Sequence, residues 1–170
     1  FREAARRASE TTAENALFNE NLAALNANDA SGAAALIKEA AGSSRLRESI
    51  LFEQAHYAAK RMAPQAAELL ANFITLAETP ALKTQARLDQ AEVALNLNPP
   101  DLETVQAILP LLEKEQLSPE QTMQLARLNI LEEESRQEWP SAIQSCRRAI
   151  ALDSEGKQAD MLYLKLRSEE

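Results

Sequence analysis

Apolar side chains recur at helical spacing along almost the whole 170-residue chain. In the segments 45–62 and 81–97 they fall on two faces of a helix rather than one. A helix that is apolar on two faces is typical of an inner helix, packed between neighbours on both sides. No segment has the pattern of a credible strand. The pattern therefore predicts an all-α protein.

Turn and capping residues divide the pattern into nine predicted helices that alternate between long and short. Ser118 is expected to cap a helix, with Gln121 completing a capping box. Thr79 is expected to cap the helix that starts at Pro80. Pro110 is expected to kink or break its helix, because proline lacks a backbone donor. The predicted helices span 9–28, 31–41, 45–62, 65–78, 81–97, 101–116, 123–136, 138–154 and 157–167.

One segment near the C-terminal end, 138–154 (EWPSAIQSCRRAIALDS), has a more specific pattern. On a helix, its larger apolar residues form one stripe with two alanines beside it: Trp139, Ile143, Cys146 and Ile150, with Ala142 and Ala149. The segment resembles the second helix of a tetratricopeptide repeat, in which an aromatic residue precedes Ala-Ile, a larger residue, Ala-Ile or Ala-Leu, and Leu-Asp-Pro. Ser154 stands where the family usually has proline. The resemblance implies a scaffold of stacked helix pairs.

The spacing of the short helices agrees with this resemblance. Ala33, Ala67, Val105 and Ala142, taken as equivalent positions, are separated by 34, 38 and 37 residues, and tetratricopeptide repeats have a period of about 34. We therefore expect a single domain, a tetratricopeptide-like α-solenoid of about four helix pairs. The expected units are 9–42, 43–78, 79–117 and 118–153, followed by a capping helix at 154–170.

Composition and charge narrow the range of partners. The chain has 18 basic and 26 acidic residues, a net charge of −8. This balance argues against a nucleic-acid or anionic-membrane surface, because both need a basic patch. No apolar run reaches the roughly 18 residues needed to span a membrane. Cys146, the single cysteine, cannot form an internal disulfide and is expected to be buried and inert. Since the chain starts at Phe1 without methionine, we expect that an upstream portion has been removed.

The residues that catalysis would need are scarce. A single histidine excludes a His-His metal pair, and the three glycines do not form a phosphate-binding loop. His56 is expected on an exposed polar stripe with Glu53 and Lys60. The acidic run at 132–134 is expected to be a solvated face. We therefore expect no catalysis, no cofactor and no metal site.

The tetratricopeptide resemblance implies a binding function instead. In that family the first helix of each pair lines a concave surface, which holds a segment of another protein. The candidate partner-binding residues are the polar ones on the long helices, although a solvated face explains them as well. They are Asn15, Asn19, Glu53, His56, Lys60, Lys83, Arg87 and Gln90. The sequence thus predicts a non-catalytic scaffold that binds a peptide or protein segment.

Two alternatives stay open at this point. The apolar residues of 161–166 at the end of the chain would suit a homo-oligomeric assembly module. A helical enzyme domain that depends on a partner chain is the other alternative. The segment 84–97 also looks like the long helices of bacterial envelope proteins with an anchor and degenerate helix pairs, such as the ancillary subunit of the Sec translocon. Residues 1–7, with three arginines, would then be the stub beyond the anchor. The sequence does not determine the compartment.

Overall fold

The computed structural model describes residues 2–152, with side chains described for 11–151 except 30 and 41. This part of the chain forms eight α-helices and no strand, which confirms the all-α prediction. None of these eight helices is long and apolar enough to cross a membrane. The predicted last helix and the apolar 161–166 segment lie outside the described residues. The helices are α1 Arg2–Asn26, α2 Ala30–Glu39, α3 Ser44–Lys60, α4 Ala66–Leu76, α5 Pro80–Leu95, α6 Leu102–Leu112, α7 Pro119–Ser135 and α8 Trp139–Leu152, with a 3-10 turn at Ala40–Gly42.

The predicted alternation of helix lengths is confirmed. Helices α3, α5 and α7 have 16 or 17 residues, whereas α2, α4 and α6 have 10 or 11. Some boundaries differ from the prediction. Helix α1 already begins at Arg2, and α6 continues through Pro110 but ends at Leu112, not at residue 116. Proline removes one backbone donor from the last turn of α6, and the helix ends two residues after it.

The chain forms two compact units, Phe1–Ala86 and Arg87–Glu170. In the first unit, α1 packs on α2 and α3, α2 on α3, and α3 on α4. Phe52 of α3 and Phe73 of α4 meet with ring centroids 5.5 Å apart. A further buried cluster in this unit includes residues of α3 and the preceding 3-10 turn. It consists of Ala40, Leu46 and Ile50, with Leu17, Phe18 and Ile37 packed against it.

The second unit has its main core among α5, α6 and α7. Leu88, Leu112 and Leu128 are among its largest fully buried side chains. Helix α7 also packs on α8, through a smaller cluster around Cys146. The main core consists of Leu88, Ala91, Ala94, Leu95, Val105, Ile108, Leu109, Leu112, Leu125 and Leu128.

The positions taken as equivalent need one correction. Ala33, Val105 and Ala142 are buried as a repeated packing position should be, but Ala67 is exposed. The buried alanine of α4 is its neighbour Ala66, with 0% exposure. With Ala66 in place of Ala67, the four equivalent positions are separated by 33, 39 and 37 residues. A shift by one residue rotates a helical side chain by about 100°, which is enough to move it from the core to the surface.

The apolar stripe of α8 is only partly as expected. Cys146 is buried, as predicted, together with Ala142 and Ala149. Trp139, however, is 45% exposed. It is the first residue of α8, and its side chain is not part of the cluster that α8 forms with α7. Helical spacing identified the stripe but did not show that its N-terminal end lies outside the packed region.

Ser118 provides a test of how α7 begins. Its Oγ accepts a hydrogen bond from the Gln121 backbone N–H at 3.2 Å, and Gln121 Oε1 accepts one from the Ser118 N–H at 3.1 Å. This arrangement confirms the predicted capping box. Ser118→Ala is expected to lower the free energy of unfolding by about 1 kcal/mol, because an N-cap acceptor is lost. Ser118→Asp should retain most of the stability in urea denaturation. An unchanged stability of Ser118→Ala would show that the cap contributes nothing.

Candidate functional site: a groove on the first unit

An open groove with a volume of about 640 Å³ lies on the first unit, beside the N-terminal half of α3 and the C-terminal end of α4. Phe73 is almost fully buried at its base, with 3% exposure, and Leu51 is half-buried. Leu76, the last residue of α4, is 65% exposed at the groove. The groove therefore offers accessible apolar surface next to a packed core.

The wall of the groove formed by residues 77–79 is held by one carboxylate. Glu48 Oε1 accepts hydrogen bonds from the backbone N–H groups of Glu78 at 2.8 Å and Thr79 at 2.7 Å. Glu48 Oε2 accepts a third, from the Thr79 hydroxyl at 2.7 Å. The Thr79 carbonyl accepts from the Lys83 N–H, as expected of a helix cap, but its hydroxyl is directed to Glu48. A side chain of α3 thus fixes the connection between α4 and α5.

The ionisation of Glu48 follows from these contacts. Partial burial raises the pKa of the carboxyl group, but the hydrogen bonds from Thr79 and Glu78 outweigh it and hold the pKa below the ordinary value for glutamate. Glu48 is therefore ionised at neutral pH. Both of its oxygens are occupied by the connection at 77–79.

The other charged groups of the groove are available to a ligand. Arg45 and Arg47 are exposed and line the groove. Neither guanidinium group forms an ion pair or hydrogen bond with another residue in the described part of the chain. The Glu78 side chain is also exposed. The groove thus combines two positive charges with two negative charges, and of the two carboxylates it is Glu48 that is held by hydrogen bonds to the connection at 77–79.

The predicted site residues of α1 do not reach this groove. Asn15 and Asn19 are exposed. The asparagine that joins α1 to other helices is Asn21, which is 0% exposed. Its Oδ1 accepts a hydrogen bond at 2.9 Å from Nε2 of Gln54, which also donates at 2.8 Å to the Ala33 carbonyl. Asn21 follows Leu17 by four residues, so helical spacing could have placed it on the packed face.

On α3, the structure corrects the expected exposed stripe of Glu53, His56 and Lys60. Only Lys60 is exposed, while Glu53 and His56 are half-buried. The imidazole of His56 stacks on the ring of Phe52, with centroids 5.4 Å apart and planes inclined by 17°. Because the two residues are four positions apart, their side chains meet on one face of the helix. The sequence reasoning had grouped His56 with charged neighbours only.

On α5, Lys83, Arg87 and Gln90 are all half-buried. In the second unit, the Arg87 guanidinium group is paired with the Glu115 carboxylate, so its charge is already balanced within that unit. None of the eight predicted partner-binding residues lines the groove.

The residues that line the groove have one recognisable feature in the sequence, a basic start of α3. Arg45 is in the first turn of α3, where the helix dipole favours acidic residues, and that turn contains none. A basic residue in this position, with a second arginine two residues later, is the cue that sequence reasoning missed. The apolar wall had no such cue, because it forms only when α3 and α4 pack together.

The described residues offer no alternative centre for metal chemistry. No three acidic, histidine or cysteine side chains among them come together in a way that could hold a metal ion. The groove on the first unit is a concave surface with accessible apolar and charged groups. Comparisons of the chain with protein-family models, with curated proteins and with solved structures give no match.

Proposed function

We propose that the chain is a tetratricopeptide-like interaction module that binds a segment of another protein and has no catalytic activity of its own. The observation that carries the proposal is the groove on the first unit, with Phe73 at its base and exposed Leu76 at its side. A volume of about 640 Å³ falls within the range of roughly 300–1,000 Å³ that is typical of ligand sites. An occupant of this size is a short peptide segment that inserts a few side chains.

The backbone around the groove is already ordered, which favours a role in binding. One wall is the helix α3, and the connection at 77–79 is fixed to this helix by the three hydrogen bonds to Glu48. A surface whose backbone is already ordered loses little conformational entropy when it binds. A partner would bury the exposed apolar surface of Leu76, and this burial contributes favourably to the free energy of binding.

The repeat part of the proposal has separate support. Long and short helices alternate, and within the first unit α1 to α4 pack on their neighbours in the chain. Small or β-branched residues are buried at similar intervals, at Ala33, Ala66, Val105 and Ala142. Such regularity is what stacked helix pairs require. A solenoid of about four pairs remains our proposal for the arrangement.

The exposed polar residues of the long helices give a second predicted surface within the same proposal. Asn15, Asn19 and Lys60 are accessible to a partner. An Asn15→Ala/Asn19→Ala variant tests this surface separately from the groove. Its effect on binding is independent of that of Leu76→Asp in the groove, so the two variants distinguish a binding surface on α1 from one in the groove.

Leu76→Asp is expected to weaken the binding of a selected peptide at least about tenfold, because a charge replaces the exposed apolar contact. The peptide is selected from a displayed random library with the purified chain, and its affinity is measured by fluorescence anisotropy. The matched control is Leu111→Asp. Leu111 is 46% exposed and also lies at the C-terminal end of a short helix, α6, in the second unit.

The control should bind the peptide as the unchanged chain does, and circular dichroism should show both variants folded. Undiminished binding by Leu76→Asp would exclude the groove. If Asn15→Ala/Asn19→Ala then abolished binding, the partner surface would be on α1. Failure of every selection to yield a binder would contradict the proposed function itself.

A further inference from the structure

We infer that the segment taken by the groove is both acidic and apolar, with carboxylate side chains bound by Arg45 and Arg47 and apolar side chains placed against Phe73 and Leu76. This inference rests on the proposed function and specifies the chemistry of the partner. Its basis is the set of charged and apolar side chains around the groove.

Arg45 and Arg47 are the two positive charges of the groove. Both are exposed, and neither guanidinium group is paired within the described residues. A guanidinium group binds a carboxylate through two parallel hydrogen bonds, which gives the contact direction as well as strength. Arg45 also lies in the first turn of α3, where a positive charge is unfavourable to the helix. An acidic ligand would offset this unfavourable position.

Neither acidic residue of the groove forms an ion pair with these arginines in the described part of the chain. Glu48 is occupied by three hydrogen bonds from Glu78 and Thr79. Glu48 stays ionised, and it and the exposed Glu78 side chain are the acidic groups that would oppose an acidic ligand. The groove therefore carries two positive and two negative charges, but neither guanidinium group has a carboxylate partner within the described residues.

The distribution of charge along the chain supports the same partner. Residues 1–86 contain 9 basic and 10 acidic residues, whereas 87–170 contain 9 basic and 16 acidic residues. The net charge of −8 is thus carried almost entirely by the second unit. The unit that holds the groove is nearly neutral, so its own net charge does not repel an acidic segment.

The apolar part of the inference comes from three side chains. Leu51, Phe73 and Leu76 line the groove together with the arginines. A ligand with carboxylates alone would leave the Leu76 surface in water, and an apolar ligand alone would leave the arginines unpaired. A segment that carries both apolar and acidic side chains satisfies both.

The test uses three fluorescein-labelled peptides with both ends capped, so that no terminal charge contributes. In the first, leucine and aspartate alternate; the second has asparagine, and the third lysine, in place of every aspartate. Anisotropy titrations with the whole chain should give the tightest binding for the aspartate peptide. Arg45→Gln/Arg47→Gln should weaken that binding about tenfold, as expected from losing two exposed charge pairs. Glu78→Gln should strengthen it or leave it unchanged.

Salt provides a second readout that a loss of folding would not produce. Rising salt should weaken binding of the aspartate peptide but not of the asparagine peptide, because screening acts only on the charged contact. The double arginine variant should lose this salt dependence. Its thermal unfolding should match that of the unchanged chain, since both arginines are exposed.

Three results would overturn the inference. Equal binding of the aspartate and asparagine peptides, with no effect of the arginine variant, would show that the groove selects apolar residues alone, and the proposed function would stand. Tighter binding of the lysine peptide would show the opposite charge preference. Concentration-dependent self-association in sedimentation experiments, lost in Leu76→Asp, would identify a second copy of the chain as the occupant. If no peptide binds and no displayed library yields a binder, the proposed function fails as well.

Discussion

Replacing Leu112 with alanine is expected to lower the free energy of unfolding of the second unit by about 2–5 kcal/mol. Leu112 has 0% exposure and belongs to the core that α5, α6 and α7 share. Removing its branched end deletes apolar contacts and leaves a cavity, and both effects favour the unfolded state. A loss of this size is a large fraction of the stability of an ordinary domain.

The adjacent residue is the control for this experiment. Leu111 is the same amino acid in the same turn of α6, but it is 46% exposed. Leu111→Ala should therefore change the stability by no more than about 0.5 kcal/mol. Urea denaturation can be followed by the fluorescence of Trp139, the single tryptophan of the chain, which lies in the second unit. Equal losses in the two variants would contradict the assignment of the core.

Glu48→Ala is expected to destabilise the first unit by about 2 kcal/mol. The substitution removes the acceptor of three hydrogen bonds, and bonds to charged groups contribute about 1.5–3 kcal/mol in mutational series. We expect a value near the lower end of this range, because water competes for the same hydrogen-bond donors at this partly exposed site. Hydrogen exchange measured by NMR should become faster at the backbone amides of Glu78 and Thr79.

Two further variants separate the role of Glu48 from a general effect of charge. Glu78→Ala removes the other carboxylate of the groove, which is exposed, and should change stability little. Glu48→Gln keeps the shape and one acceptor oxygen, so its loss should be smaller than that of Glu48→Ala. Unchanged exchange at Thr79 in Glu48→Ala would show that the connection is held by other contacts.

The effect of Glu48 should depend on pH in a defined direction. Its pKa is below the ordinary value, so its stabilising contribution is fully present above the ordinary glutamate pKa. This contribution is lost as the pH falls through the lowered pKa, because the protonated carboxyl group binds the N–H groups less strongly. The stability difference between the unchanged chain and Glu48→Gln should therefore shrink in acid.

Local features of the fold followed directly from the sequence. Proline, serine and glutamine at 118–121 predicted the start of α7 because the capping box involves residues three positions apart. The two apolar faces of α3 and α5 and the burial of Cys146 followed from helical periodicity. These features depend on neighbours within one or two helical turns, so the sequence carries them explicitly.

Longer-range features were not predictable in the same way. Glu48 contacts residues 30 and 31 positions away, and nothing in its own neighbourhood indicates that partner. The same holds for Asn21, whose hydrogen bond to Gln54 spans 33 positions. Periodicity could place Asn21 on the packed face of α1, but it could not name the residue on the opposite helix.

The sequence by itself determined the described helices, their alternating lengths and the cap of α7, because each depends on contacts within a few residues. Only the tertiary structure decided that Trp139 is exposed, that Ala66 rather than Ala67 is buried, and that His56 is covered by Phe52 and its surroundings. It also decided where the groove lies. A groove needs the side chains of α3 and α4 and the connection after α4 to be brought together, and this depends on how the helices pack rather than on the pattern of any one of them.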